Sequence, residues 1–169
     1  DPRKHNGHGV ITTANYFARQ YGVGSAMPAI KAIKRIPSDK LVFLPPNFEK
    51  YRAVSAQVHK IMHEVTDQVE SVALDEAYLD VTENKLDDYT AIELGNYMQK
   101  KIYEELRLTC SFGVSYNKFL AKMGSEYAKP FGKTVILPDE ALDFLGIQDI
   151  KKFPGIGKKT QEILRQMGI

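Results

Sequence analysis

The sequence has no tryptophan, a single cysteine and no apolar run of membrane-spanning length. A helical span needs about 18 to 20 consecutive apolar residues, so none is expected. The first residues lack the succession of basic start, apolar block and small-residue cleavage site that marks a secretory signal, so secretion is not expected. A lone Cys110 cannot close an internal disulfide, which points to a reducing compartment. It lies in an apolar, strand-like run and reads as a buried structural thiol rather than a nucleophile. Internal repeats and low-complexity tracts are also missing.

What remains is an ordinary globular mixture: 169 residues, 43 % hydrophobic and 26 % charged. That is enough for one domain, or one domain and part of another, with a sizeable core. The net charge of +2 conceals a segregation. Residues 1–60 carry +7, residues 61–110 carry −8, residues 111–150 carry −1 and residues 151–169 carry +4. Basic ends around an acidic middle suit a polyanion gripped from two sides of a cation site. They also suit solvated faces that merely differ.

Residues 1–9 read as a loop and 10–13 as a short strand. Helices are expected over 14–21 and 28–36, the first ended by Gly22 and Gly24, the second opened by Pro28 and closed by Pro37. An apolar strand is expected over 41–44, stopped by Pro45 and Pro46. Asn47 suits the N-cap of a long helix to about Val69, with Val54, Val58, Ile61, Val65 and Val69 on one stripe. His59 and His63 lie off that stripe and read as surface histidines. The stretch ESVALDEAYLDVT, 70–82, alternates twice with period two, giving a hairpin that meets at Asp75-Glu76. A helix over 88–106 follows, with Ile92, Met98 (or Gly95), Ile102 and Leu106 on its inner side. A strand over 109–115, a helix over 117–127 and a strand over 134–137 come next. From Pro138 the pattern changes to short helices around a tight turn, FPGIG. Long helices around an antiparallel hairpin indicate an α+β fold with helices on one face of the sheet rather than a doubly wound parallel one.

Asp75 and Glu76 are the most unusual feature. Adjacent strand residues point to opposite faces, so two neighbouring carboxylates converge only where the chain bends. Their mutual repulsion is relieved by a cation, and an oxygen-only donor pair favours a hard ion such as Mg²⁺. A plain polar turn has the same composition. Tyr16 and Arg19, three apart on one helix, offer a hydroxyl donor and a phosphate-binding fork. Lys122 and Lys129, seven apart, project from one side of another helix. With the carboxylates they outline a magnesium–triphosphate site, although each taken alone also reads as a solvated side chain. Finally, Gly155, Gly157, Lys158 and Lys159 open a helix whose free amides favour phosphate. A hydrophobic-Pro-Gly-Ile-Gly run followed by basic residues is a sign of a helix-hairpin-helix that grips DNA backbone without reading sequence.

In this order the motifs resemble the Y-family translesion DNA polymerases. ANYFARQYGV (14–23) is similar to the fingers motif, LPPNFEKYRAVS (44–55) to the entry into the palm, and SVALDEAYLDVT (71–82) to the catalytic hairpin. SFGVSYNKFLAKMGSEYAKPFGKTV (111–135) is similar to the palm stretch bearing a phosphate-binding lysine, and FPGIGKKT (153–160) to the thumb hairpin. The resemblance implies fingers over 1–46, palm over 47–137 and part of a thumb over 138–169. It implies Asp75 and Glu76 as metal carboxylates for two Mg²⁺ ions. It implies Thr13, Tyr16, Arg19 and Lys129 as contacts to the incoming deoxynucleoside triphosphate. Gly155, Gly157, Lys158 and Lys159 would contact primer–template DNA, with Lys122 a further DNA-facing lysine. The implied setting is the cytoplasm, at the nucleoid, with no membrane and with a sliding clamp as partner of a later segment.

Two departures stand out. Ala73 occupies a hairpin position where the family usually carries Ser. The family's first strand, with its first metal Asp and its aromatic gate against ribonucleotides, has no counterpart here. The expectation is therefore a fragment unable to polymerise alone. A non-catalytic DNA-binding module is the competing reading. A nucleotide cyclase with a palm is a third, disfavoured by the DNA-gripping turn.

Overall fold

The computed structural model describes residues 8–169. The opening loop expected over 1–9 lies largely outside them. The chain divides into two compact units, Asp1–Lys50 and Tyr51–Ile169, with the boundary inside a helix.

The first unit holds helices α1 (Tyr16–Gln20) and α2 (Ala29–Arg35). Asn15 caps α1, its side chain accepting from Ala18 N at 2.8 Å. The core is Val23, Ala32 and Ile36, with Ile11, Ala14, Tyr21, Leu41 and Phe43 packed against it. The strand expected over 10–13 is reduced to one bridge, Val10 to Pro28. Its backbone is satisfied instead by the loop opposite: Ile11 N donates to Met27 O at 2.8 Å, and Ala26 N to Ile11 O at 2.9 Å. The strand expected over 41–44 does not form. Leu41 and Phe43 face the core, but Val42 and Leu44 are exposed and no second strand lies alongside to complete a ladder among the described residues. Alternation there reflects packing without pairing.

Helix α3 (Phe48–Val65) leads into the second unit, Lys50 N donating to the Asn47 side chain at 3.0 Å. The helix stops four residues before the expected Val69. Lys85 closes it, its backbone N donating to Val65 O at 2.7 Å and its ammonium to His63 O at 3.0 Å. A cation on the last carbonyls is a favourable helix end. Val69 therefore starts a strand. His59 is half-buried rather than free: Nδ1–H donates to Ser55 O at 3.0 Å, and Nε2 meets Ser71 Oγ at 3.2 Å.

Strands β1 (Val69–Ala73) and β2 (Glu76–Leu79) form the antiparallel hairpin. Helix α4 (Ala91–Leu106) begins three residues later than expected, at a capping box between Thr90 and Glu93. Its inner side is centred on Leu94, Gly95 and Ile102, and Leu94 is completely buried. Strand β3 (Phe112–Ser115), helix α5 (Lys118–Tyr127) and strand β4 (Lys133–Ile136) follow. β3 and β4 pair in parallel, which the crossover through α5 permits. The α+β class holds, with one antiparallel and one parallel pair among the described residues rather than antiparallel pairing throughout.

Close approach of α5 to β3 depends on Gly113. A Cβ there would stand 2.1 Å from Ala121 O and 2.6 Å from Ser125 N. Behind β3, Gly95 of α4 lies against the Phe112 ring. The Gln99 side-chain amide donates to Cys110 O at 2.9 Å and reaches Phe131 O and Gly132 O at 3.5 Å each. Burial pushes the Cys110 thiol up, in keeping with a structural rather than a nucleophilic cysteine.

Helices α3 and α4 are joined by a polar cluster. The Glu64 carboxylate accepts from the Lys101 ammonium and from Tyr97 OH, the latter at 2.8 Å. The Lys101 bond, then the Tyr97 bond, hold Glu64 below its ordinary 4.5 against the opposing effect of burial. A lowered folded value means that the unfolded chain binds more protons in acid. The cluster's contribution is therefore present above pH 4.5 and disappears as pH falls through the folded value. Glu64→Gln is expected to lower the Tm at neutral pH and to lose less on acidification below pH 4.5 than the parent, in thermal unfolding on both sides of that value.

Candidate functional site

The hairpin carries the carboxylates. Its register shifts between Ser71 and Ala73, leaving Val72 without a partner. Bulges of this kind bend a strand and re-aim its side chains. The turn proper is Leu74-Asp75, and Glu76 is already the first residue of β2, paired with Ala73. Asp75 is exposed and Glu76 half-buried. The expected tip is thus offset by one residue, because the extra residue of the bulge is taken up before the turn.

α5 supplies the countercharges. Asn117 caps it, accepting from Leu120 N at 2.9 Å. From one side of the helix, Lys118 pairs with Glu70 and stands 5.7 Å from the centre of the Tyr78 ring. Glu70 and Tyr78 are cross-strand partners, so one lysine holds both strands. One turn on, Lys122 pairs with Glu76. Its ammonium also lies 3.8 Å from Glu126 Oε1, and Lys129 donates to that same oxygen at 2.6 Å. Burial acts to lower the Lys122 value, but the bond to Glu76 and the charges of Glu76 and Glu126 outweigh it and leave the ammonium raised.

Lys129 lies two residues beyond Tyr127, the last residue of α5, so the helical spacing expected to set it beside Lys122 stops short of it, although both lysines reach Glu126. Lys122, however, is turned onto a carboxylate. Glu126 joins the two lysines, and its place four residues after one and three before the other is the signal in the sequence that could have found it.

The donor set of Asp75 and Glu76 fits a hard cation: two successive carboxylates and no softer ligand. Among the described residues no three His, Cys, Asp or Glu side chains gather around one point. The pair would supply two ligands, leaving positions for water and substrate phosphate.

In the first unit, Arg19 stands 5.6 Å from the centre of the Tyr16 ring, and its Nε donates to Ala14 O at 2.8 Å. Thr13, Tyr16 and Arg19 are all exposed. Near the C-terminal end, helix α6 (Ala141–Gly146), a 3₁₀ turn (Ile150–Lys152) and α7 (Lys158–Gln166) complete the chain. Gly155 has φ +83°, a left-handed conformation that suits glycine, and Gly157 is the N-cap of α7. Lys158 and Lys159 form the exposed first turn of α7. This segment is seated on α5 through Phe153 on Phe119, centroids 5.9 Å apart, and Phe144 on Tyr127 at 5.3 Å. Ile163, an apolar residue suited to packing within the hairpin of helices, is 57 % exposed.

The impB/mucB/samB family profile matches residues 3–126, and the profile of that family's HHH motif matches 138–169. The chain belongs to this family, that of the Y-family DNA polymerases. Its relatives include DNA polymerase IV of Streptococcus pneumoniae, 53 % identical over all 169 residues, and that of Streptococcus gordonii, 51 % identical. The chain covers 100 % of its own length and 47 % of each of theirs. Among solved structures, an insertion ternary complex of Dbh DNA polymerase superposes with TM-score 0.86, and DinB from Sulfolobus solfataricus with 0.85. Both are 37 % identical, with 96 % of this chain and 47 % of theirs aligned. Membership of the Y family gives the α+β hairpin and α5 their context. Among the described residues, no helix is long and apolar enough to cross a membrane.

Proposed function

We propose that this chain is the nucleotide- and DNA-handling segment of a translesion DNA polymerase, which adds deoxynucleotides to a primer opposite damaged template. The observation that carries the reading is the bulged hairpin that sets Asp75 and Glu76 in succession, in a chain of this family. Asp75 and Glu76 would hold Mg²⁺. When bound, Mg²⁺ lowers the pKa of the primer 3′-hydroxyl and steadies the charge that develops on the α-phosphate. Lys118 and Lys122 hold the hairpin that presents the two carboxylates. Tyr16, Arg19 and Thr13 offer hydrogen bonds to triphosphate oxygens, and Lys129 offers an ammonium. Gly155 and Gly157 let the backbone approach a DNA phosphate. Lys158 and Lys159 add attraction without sequence preference.

The test is a chimera in which these 169 residues replace the matching segment of the pneumococcal relative. Primer extension with Mg²⁺ and deoxynucleotides is expected. A folded chimera that binds primer–template yet never extends it would favour the alternative, a non-catalytic DNA-binding module.

The thumb lysines give a separate expectation. In the same chimera, Lys158→Ala with Lys159→Ala is expected to weaken DNA binding alike for all sequences. The slope of log affinity against log salt should fall by about 1 for each phosphate that a lysine no longer neutralises. Fluorescence anisotropy across a salt series reads this, and an unchanged slope would remove both lysines from the interface.

A further inference from the structure

Glu126 Oε1 is claimed by two lysines. Lys129 holds it at 2.6 Å, and Lys122 waits 3.8 Å away while bonded to Glu76. All four groups are partly exposed, with side-chain accessibilities between 25 % and 45 %, so each has room to change partner. We propose that Glu126 is a positioning residue that couples the metal carboxylate to the triphosphate lysine. This inference rests on the reading of Glu76 and Lys129 given above. A divalent cation on Glu76 displaces the Lys122 ammonium, since both require the same carboxylate. The other carboxylate beside Lys122 is Glu126, four residues along the same helix. As that contact shortens to hydrogen-bond length, two ammonium groups converge on one oxygen and repel. The Lys129 bond weakens, and its ammonium becomes free for a phosphate. Before the cation arrives, Lys129 is engaged and the site discriminates against metal-free anions. The exchange needs no backbone movement, because every participant is a long side chain on α5, just after it or at the start of β2.

The experiment reads the Lys129 amine directly. The chain is labelled briefly with an amine-acylating reagent, with and without saturating Mg²⁺, and Lys129 modification is measured by peptide mass spectrometry. Calorimetry on the same samples records whether Mg²⁺ binds. Mg²⁺ is expected to raise Lys129 labelling about threefold, the scale of releasing one exposed ion pair. Glu126→Gln should show the high level without Mg²⁺ and respond no further. Lys122→Met should keep the low level with or without Mg²⁺, because no ammonium is left to send to Glu126. Calorimetric binding with unchanged Lys129 labelling in the parent would overturn the coupling while leaving the metal reading intact. A Mg²⁺ response that survives in Lys122→Met would overturn it too. No calorimetric binding, in the parent or in the chimera, would sink the metal reading and the coupling together.

Discussion

Asp75→Ala in the polymerase chimera is expected to lower primer extension about a thousandfold, the effect of losing roughly 4 kcal/mol of transition-state stabilisation. The size follows from what a carboxylate does beside a hard cation. On the reading proposed above, the ion would keep Glu76, already shared with Lys122, and the first Asp that the resemblance implies for the relative's own first strand, and it would be held more loosely at the moment charge builds on the phosphate. The fold should not suffer. Asp75 is exposed at a turn, and surface substitutions of that kind usually change stability by no more than about 0.5 kcal/mol. Single-turnover extension with a matched deoxynucleotide measures the loss, and thermal unfolding supplies the control. A variant that retains a tenth or more of the parent's rate would show that Asp75 is merely part of a polar turn.

The second large effect is on stability. Gly113→Ala is expected to cost about 3 kcal/mol, at the upper end of what overpacking usually does. The added methyl would meet Ala121 O at 2.1 Å, Ser125 N at 2.6 Å and Gly124 C at 3.0 Å. All three are main-chain atoms of α5, so no rotamer change relieves the clash. The helix must lift from the strand, and Leu120 and Ile136 become less buried with it. Gly146→Ala serves as the control, since a Cβ there meets nothing within 4 Å. Denaturant unfolding of the two variants should separate them clearly, and equal midpoints would show that α5 can shift at no cost.

Much of this arrangement is legible in the sequence. Period-two alternation places the hairpin, and helical spacing sets Lys122 beside Glu126. Partner choice between distant segments is not legible. Nothing near Lys122 indicates that its ammonium will settle on Glu76, 46 residues earlier, rather than face DNA. The bulge is likewise invisible, because ESVALDEAYL alternates well enough in either register and only pairing decides which residue is left over. Leu94 shows the same limit within a helix. Spacing favours a stripe through Ile92, yet Leu94 is the residue wholly buried. Which face is buried is set by what packs on it, here Phe112 of β3 against Gly95, next to Leu94. Leu41 and Phe43 look like a strand because alternation records which side chains face a core, whether or not a neighbouring strand exists.

Gln99 shows what kind of chemistry a position can select. Its amide nitrogen faces the carbonyl oxygens of Cys110, Phe131 and Gly132, three acceptors from the two segments that lead into β3 and β4. Glutamate has nearly the same shape as glutamine, but its ionised side chain has no hydrogen to offer and would set a negative charge against three oxygens. Position 99 therefore tells an amide from an acid without regard to size. Deamidation, a change of a single heavy atom, would turn the peg that seats both strands into a wedge between them.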